Sequence, residues 1–240
     1  PDSSAAAIVV GGFGAQGRKC SATSRVYMTL EMWTKVARPL KLFMDLIRVG
    51  DVRDFRNYMG AIINAREYQK IVGYIQRAKS DKANGHNILE IIGGQFSADR
   101  GWFIHPTVIV TGSPYYPTAC EEIFGPVVTV VVLPKERFEK EVLKLCDDAS
   151  LYALTGAVQS EDIYEFCEAL QGLRYAAGNV YNWKTTGAVV NQQPFSGGRK
   201  SGTNSKCGWK TNLYNWMSPR TISLTHVKPT GFAPPYLQRN

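Results

Sequence analysis

The sequence predicts an α/β fold in which an open, mostly parallel sheet carries helices on both faces. The run PVVTVVVL at 126–133 is nearly all β-branched, which is typical of a strand buried on both faces of a parallel sheet. The chain then alternates, with helix-like segments at 136–148 and 162–172 and strand-like segments at 154–158 and 179–182. Strand–helix–strand units of this kind are joined by right-handed crossovers, so helices are expected on both faces of the sheet.

The amino-terminal half supplies two further helices. Apolar residues recur at helical spacing over 30–47, where Pro39 is expected to bend or divide the helix. A second helix is predicted over 64–79, and Asn64 is a suitable N-cap for it. Both segments have one apolar face, as expected of helices that pack against a sheet.

Three further strand-like segments are predicted outside these helices and strands. Strands at 87–92 and 102–110 are expected to form a hairpin-like insertion. Near the carboxyl end, TISLTHV at 221–227 alternates as a final strand of the oligomerisation type, whose natural partner would be another subunit. The chain therefore divides into a main domain at 1–215 and a strand with an extended tail at 216–240.

Composition and charge argue against several classes of function. The 240 residues include 28 Lys and Arg against 20 Asp and Glu, a net charge of +8 that is scattered rather than clustered, so no nucleic-acid partner is expected. Five cysteines, at 20, 120, 146, 167 and 207, are an odd number without metal-ligand spacing, which favours a reducing compartment and no metal. No apolar run is long enough to predict a transmembrane helix.

The stretch GGFGAQGRKCSATSR at 11–25 has two interpretations. Gly12, Gly14 and Gly17 match the G-x-G-x-x-G pattern of a dinucleotide-binding turn. That pattern also needs a helix that opens at the last glycine and an acidic residue about twenty positions later, and neither is present. The glycines are therefore interpreted as giving backbone access around Cys20, whose neighbours Arg18 and Lys19 would favour a thiolate if they lie near the sulfur.

Several separated stretches occur together in one order. They are GRKCSATSRVY at 17–27, GWFIHPTV at 101–108, EEIFGPV at 121–127, LTGAV and AAGNVYN within 154–182, and QQPFSGGRKSGTN at 192–204. In this order they resemble the catalytic domain of the aldehyde dehydrogenase family, and most closely its pyrroline-5-carboxylate (glutamate semialdehyde) dehydrogenase branch. The resemblance covers essentially the whole chain.

The resemblance implies a role for each matching residue. Cys20 matches the nucleophile, whose thiolate would attack an aldehyde before hydride passes to NAD. Glu122 and Phe124 match positions that hold the nicotinamide ribose and pack near the nicotinamide. The matches on the substrate side are Ser21, Asn182, Gly187 and Phe195, of which Asn182 requires a one-residue deletion.

The sequence also departs from the family. Arg18 replaces the glutamine before the nucleophile, Ser196 replaces a glycine, and Ala188 stands where a hydroxyl would help to anchor a substrate carboxylate. Only nineteen residues precede Cys20, so the NAD-binding domain, the general base and one oxyanion donor have no counterpart in the chain. Loss of an oxyanion donor alone costs about a hundredfold to a thousandfold in rate.

These departures favour a non-catalytic protein over an enzyme. The first hypothesis is a structural subunit without a cofactor, which binds other protein subunits of an assembly on the matrix side of a mitochondrial membrane and retains its site residues as vestiges. The second is the catalytic half of an NAD-dependent dehydrogenase that oxidises glutamate semialdehyde through a Cys20 thiohemiacetal. A third is a thiol esterase that uses Cys20 without NAD.

Overall fold

The computed structural model describes residues 1–189, 191–233 and 235–237. Its helices are α1 (Asp2–Phe13), α2 (Leu30–Asp45), α3 (Ala65–Ala83), α4 (Pro117–Cys120), α5 (Lys135–Asp148) and α6 (Ile163–Gly172). Its strands are β1 (Arg25–Thr29), β2 (Ile88–Gly93), β3 (Phe96–Ser97), β4 (Phe103–Ile104), β5 (Thr107–Thr111), β6 (Val127–Leu133), β7 (Tyr152–Ala153), β8 (Thr155–Val158), β9 (Asn179–Asn182) and β10 (Gly198–Arg199). Short 3₁₀ turns lie at Gly14–Gly17, Lys210–Trp216 and Pro235–Leu237.

The main sheet has the strand order β1-β6-β5-β2, which confirms the mostly parallel α/β prediction. β1, β6 and β5 run parallel, and β2 pairs antiparallel with β5 at one edge. The prediction of a hairpin-like insertion is wrong in one respect, because β5 is an interior strand of this sheet. Within residues 88–111, only the small β3–β4 hairpin stands apart from this sheet, and Pro106, which has no amide hydrogen, separates β4 from β5.

The β-branched run forms the centre of the core. All seven residues of β6 are buried, and alternate side chains pack against different helices. Val128, Val130 and Val132 join α1 and α2 in one cluster, whereas Val131 and Leu133 pack against α5 on the opposite face. Helices therefore cover both faces of the sheet, as the composition of this run predicts.

Four helices follow their predicted bounds closely. The side chain of Asn64 caps α3 by accepting a hydrogen bond from the Glu67 amide at 2.9 Å. α2 runs through Pro39 as one helix, so Pro39 does not divide it, and the alternative of a bend stays a prediction. Residues 2–13 form a further helix, α1, that the sequence pattern did not predict.

One expectation for the carboxyl-terminal part is wrong, and the expected strand at 221–227, whose partner would be another subunit, stays a prediction. β8 and β9 pair with each other in parallel as a separate two-stranded sheet, rather than extending the sheet that contains β6. Residues 221–227 are described but form no strand, and Ile222, Leu224 and Val227 are exposed. A strand is stabilised by a hydrogen-bonding partner and by burial of its apolar face, and the described part of the chain supplies neither to this segment.

Candidate active site

The two loops with the predicted nucleophile and the predicted cofactor contacts lie at the same edge of the sheet. The Cys20 loop, defined as residues 14–24, runs into β1, and the Glu122 loop, defined as residues 121–126, runs into β6. The Thr129 amide donates a hydrogen bond to the Ser24 carbonyl at 2.9 Å, where the two parallel strands begin. Both loops therefore lie at the amino-terminal edge of the parallel strands.

Glycine allows backbone contact between these two loops. Ala15, Gln16 and Gly17 all have left-handed φ angles, of 52°, 57° and 64°. A Cβ atom on Gly17 would lie 2.2 Å from the Gly125 carbonyl oxygen, so only glycine fits at this position. Gly12 lies in the last turn of α1, and Gly14 and Gly17 lead from α1 towards β1 rather than joining a strand to a helix, so these glycines do not form a dinucleotide-binding turn.

Cys20 lies in a turn fixed by backbone hydrogen bonds, and its side chain is exposed. The Ala22 amide donates to the Lys19 carbonyl at 3.0 Å, and the Thr23 amide donates to the Gly11 carbonyl at 2.9 Å. Arg18 directs its guanidinium to the Phe124 carbonyl and to a carboxylate of α3 instead of to the sulfur. The geometry presents the thiol to solvent, where a small electrophile can reach it.

Ser21 and Gly187, both predicted on the substrate side, lie together. The Thr186 hydroxyl donates a hydrogen bond to the Ser21 carbonyl at 2.7 Å and lies 3.0 Å from the Thr23 hydroxyl. A Cβ atom on Gly187 would lie 3.9 Å from Ser21 Oγ. The segment that contains Gly187 is therefore docked on the Cys20 loop, although the two are far apart in sequence.

The other two predicted substrate-side residues have different hydrogen-bond partners. Phe195 exchanges two backbone hydrogen bonds with Cys207, at 3.0 and 3.1 Å. Asn182 ends β9, and its side-chain amide donates to the Ser160 carbonyl at 3.4 Å. Their roles toward a substrate stay predictions, because these contacts do not join them to the Cys20 loop.

The sequence did not single out Lys206, which holds the segment around Phe195 in place. Its ammonium nitrogen lies 2.6 to 3.1 Å from four acceptor oxygens, those of the Gly178 and Ser196 carbonyls and of the Asn179 and Asn204 side chains. Asn179 in turn donates to the Pro194 carbonyl at 2.8 Å. A lysine in a Gly-, Ser- and Asn-rich segment gives no pattern that would distinguish it from a surface residue.

The two adjacent glutamates of the Glu122 loop have different surroundings. Glu121 accepts a hydrogen bond from the Tyr74 hydroxyl, and this bond together with burial raises the pKa of Tyr74 to about 12. Glu122 is exposed, and its carboxylate has no hydrogen-bond or ion-pair partner among the residues that the structure describes. The two carboxylates therefore do not form a paired acid–base site, and Glu122 remains available to a ligand.

The fold and the order of these loops define the class of protein. Residues 1–222 match the model of the aldehyde dehydrogenase family, and the chain belongs to that family. The resemblance expected from the Cys20 and EEIFGPV stretches is confirmed.

Named relatives narrow the similarity to one branch of the family. The chain is 42% identical over 228 residues to the mitochondrial delta-1-pyrroline-5-carboxylate dehydrogenase of Dictyostelium discoideum, covering 95% of this chain and 40% of the relative. It is 41% identical over 223 residues to the mitochondrial enzyme of the same name from Danio rerio, covering 92% of this chain and 39% of that protein. The chain thus spans about two-fifths of the length of these relatives.

A solved structure supports the same assignment. The delta-pyrroline-5-carboxylate dehydrogenase of Mycobacterium tuberculosis, bound with NAD and cobalamin, superimposes with a TM-score of 0.82 at 39% identity. The superposition covers 99% of this chain and 43% of that one.

These relatives correct the first functional hypothesis. They are named as dehydrogenases, and nothing in the comparison indicates a non-catalytic structural subunit, so the hypothesis of a subunit without a cofactor is wrong. It gave too much weight to Arg18, whose side chain is accommodated by contacts away from the thiol. Among the described residues, no cluster of acidic, histidine or cysteine side chains could hold a metal, and no helix is long and apolar enough to cross a membrane.

Proposed function

We propose that the protein that contains this chain oxidises glutamate semialdehyde to glutamate, with NAD as the oxidant and Cys20 as the nucleophile. One observation carries the proposal: the loop with the exposed Cys20 contacts both the segment with Gly187 and the loop with Glu122 and Phe124. The loop with the nucleophile thus contacts both a segment that is predicted to bind the substrate and a loop that is predicted to bind the cofactor. The sequence similarity to dehydrogenases of this name supports the same substrate.

Different residues of this chain are proposed to carry out the covalent step and to bind the substrate. The Cys20 thiolate adds to the aldehyde carbon to give a thiohemiacetal, which becomes a thioester when hydride leaves, and water then releases the acid. We assign the far end of the aldehyde to Ser21 Oγ and the backbone around Gly187, and the short distance between these two residues supports the assignment. Ala188 offers no hydroxyl there, so the carboxylate of the substrate would rely on Ser21 and on backbone amides.

The chain also offers groups that suit the nicotinamide end of NAD, which accepts the hydride when it is bound. The unpartnered carboxylate of Glu122 can accept hydrogen bonds from ribose hydroxyls. The half-buried Phe124 presents an aromatic side chain from the same loop. These two residues fit the cofactor by the chemistry of their side chains.

Substitution of Cys20 by serine tests the proposal. In the full natural protein, Cys20→Ser should lower the rate of NADH formation from glutamate semialdehyde by about a thousandfold or more, because the nucleophile is lost. Cys167→Ser is the matched control, since Cys167 is also an exposed thiol but lies on α6. Equal rates in the Cys20→Ser and Cys167→Ser variants would exclude the proposed mechanism.

A second measurement uses the 240-residue chain itself. Iodoacetamide should alkylate both Cys20 and Cys167, because both are exposed. Glutamate semialdehyde should slow alkylation at Cys20 alone, as followed by peptide mass spectrometry. Equal protection of both cysteines would count against a specific aldehyde site.

We further propose that residues 221–227 pair with a strand of another subunit. Ile222 and Leu224, which share one face of an extended segment, are 69% and 77% exposed, and a second chain that covered them would stabilise the segment. Sedimentation analysis should find an oligomer for the natural chain and a smaller species for Leu224→Lys. The same mass for both would contradict this pairing.

We place the proposed activity in the mitochondrial matrix. The relatives in D. discoideum and D. rerio are named as mitochondrial, which supports the organelle but does not specify the compartment. Protease protection of the tagged protein in intact and in swollen mitochondria would separate the matrix from the intermembrane space.

A further inference from the structure

The side chain of Arg18 joins three segments of the candidate site. Its guanidinium donates a hydrogen bond to the Phe124 carbonyl at 2.9 Å and lies 5.2 Å from the centre of the Phe124 ring. The same guanidinium pairs with the Glu67 carboxylate at 3.4 Å, in the first turn of α3. The Cys20 loop, the Glu122 loop and α3 are thus connected through one side chain, across sequence separations of 106 and 49 residues.

The Glu122 loop needs such a contact because its backbone is strained at Phe124. Phe124 has a φ of 57°, in the left-handed region that bulky side chains rarely adopt. A strained residue keeps this conformation only when its surroundings hold it there. The hydrogen bond from Arg18 holds the Phe124 carbonyl, and the cation–π contact holds the ring.

The ion pair with Glu67 fixes the direction of the guanidinium. The side chains of Arg18 and Glu67 are only 21% and 15% exposed, so the pair is partly shielded from water. Lys70, which lies 3.1 Å from the same carboxylate, and then Arg18 lower the pKa of Glu67, so the carboxylate stays charged at neutral pH. Arg18 is therefore held toward the Glu122 loop and has no hydrogen bond to Cys20 among the described contacts.

We propose that Arg18 is a positioning residue that holds the Glu122 loop against the Cys20 loop and so sets how the nicotinamide approaches the thiohemiacetal carbon. This inference rests on the proposed function, because it takes Cys20 as the nucleophile and Phe124 as a cofactor contact. In this role Arg18 needs no contact of its own with substrate or cofactor. It acts through the backbone and ring of Phe124.

Arg18→Met tests the proposal, because methionine keeps the aliphatic length and removes the donor and the charge. Hydrogen–deuterium exchange of the amides at 122–127 in the 240-residue chain should become faster in this variant. In the full natural protein, kcat should fall by about tenfold, since misplacement of reacting groups by a fraction of an ångström has effects of this size. The KM for the aldehyde should stay within about twofold, because the substrate-side segment contacts Ser21 and Thr23 instead.

Two further variants distinguish a positioning role of Arg18 from a general effect of losing a charged side chain. Lys70→Met is the matched control, since it introduces methionine in another ion pair of Glu67 but leaves the Phe124 contacts intact. The Lys70→Met variant should have the same hydrogen–deuterium exchange rates at 122–127 and the same kcat as the natural protein. Arg18→Gln should restore much of both, because a glutamine amide can still donate to the Phe124 carbonyl.

The outcomes distinguish this inference from the proposed function. Equal exchange at 122–127 in Arg18→Met and Lys70→Met would overturn the positioning role. So would a change confined to the pH dependence of Cys20 alkylation, since that would make Arg18 an activator of the thiol. Full turnover in Cys20→Ser would overturn the proposed function alone. Hydrogen–deuterium exchange at 122–127 would still test whether Arg18 holds the Glu122 loop against the Cys20 loop.

Discussion

Substitution of Gly17 by alanine should separate the Cys20 loop from the Glu122 loop. The new Cβ atom would lie 2.2 Å from the carbonyl oxygen of Gly125 and 2.8 Å from that of Gly12. Both neighbours are backbone atoms, so neither can rotate away. The left-handed φ of 64° adds about 1 to 2 kcal/mol for any residue other than glycine. Overpacking of a close contact adds roughly 1 to 3 kcal/mol, so the loss of unfolding free energy should be about 2 to 5 kcal/mol.

Gly14→Ala is the control for this substitution, since it lies in the same loop. Gly14 has a φ of −54°, and the nearest atoms to its added Cβ would be 3.7 Å away. Its effect on stability should stay within about 0.5 kcal/mol. In urea denaturation, Gly17→Ala should lower the midpoint by roughly 1 M, whereas Gly14→Ala should leave it nearly unchanged. Equal midpoints for the two variants would refute the argument that Gly17 fixes the spacing of the loops.

The remaining predictions concern α3. Tyr74 has a pKa raised to about 12, so its contribution to stability is complete below pH 10 and is lost as the pH rises from 10 to 12. The urea midpoint of the natural chain should therefore fall more steeply over that range than that of Tyr74→Phe, and parallel slopes would contradict the Glu121 contact. Gly73 lies in the middle of α3 with open space around its Cα, so Gly73→Ala should stabilise the chain by about 0.5 to 1 kcal/mol, measured as a higher midpoint.

The parts of the fold that were predicted correctly have strong local patterns. α3 has a capping asparagine and a clear apolar face, and β6 has an unbroken β-branched run. α1 lacks such a pattern, because its sequence DSSAAAIVVGGF is apolar around most of its surface and has two glycines in its last turn. Those glycines serve tertiary packing. A Cβ on Gly12 would lie 2.3 Å from a methyl group of Val128, and one on Gly11 would lie 2.3 Å from the Thr23 hydroxyl.

The candidate site was predicted residue by residue, but its connections were not. The Cys20 stretch and EEIFGPV are recognisable motifs, so their membership of one site could be expected from the family resemblance. The contacts of Arg18 with Phe124 and Glu67 span 106 and 49 residues and depend on a strained loop, which no local pattern encodes. The segment at 221–227 has an alternating local pattern but forms no strand within the single chain, because a strand also needs a partner.

Two kinds of contact hold the Cys20 loop and the Glu122 loop together, and they control different properties. The backbone contact of Gly17 with Gly125 sets the distance between the loops, because neither glycine has a side chain that could adapt. The guanidinium of Arg18 sets the conformation of Phe124 within that distance. Gly17→Ala should therefore change stability and activity together, whereas Arg18→Met should change kcat with little loss of stability. Ligands in open α/β sheets usually bind at the carboxyl ends of the strands. These two contacts instead place the candidate site at the amino-terminal edge of β1 and β6.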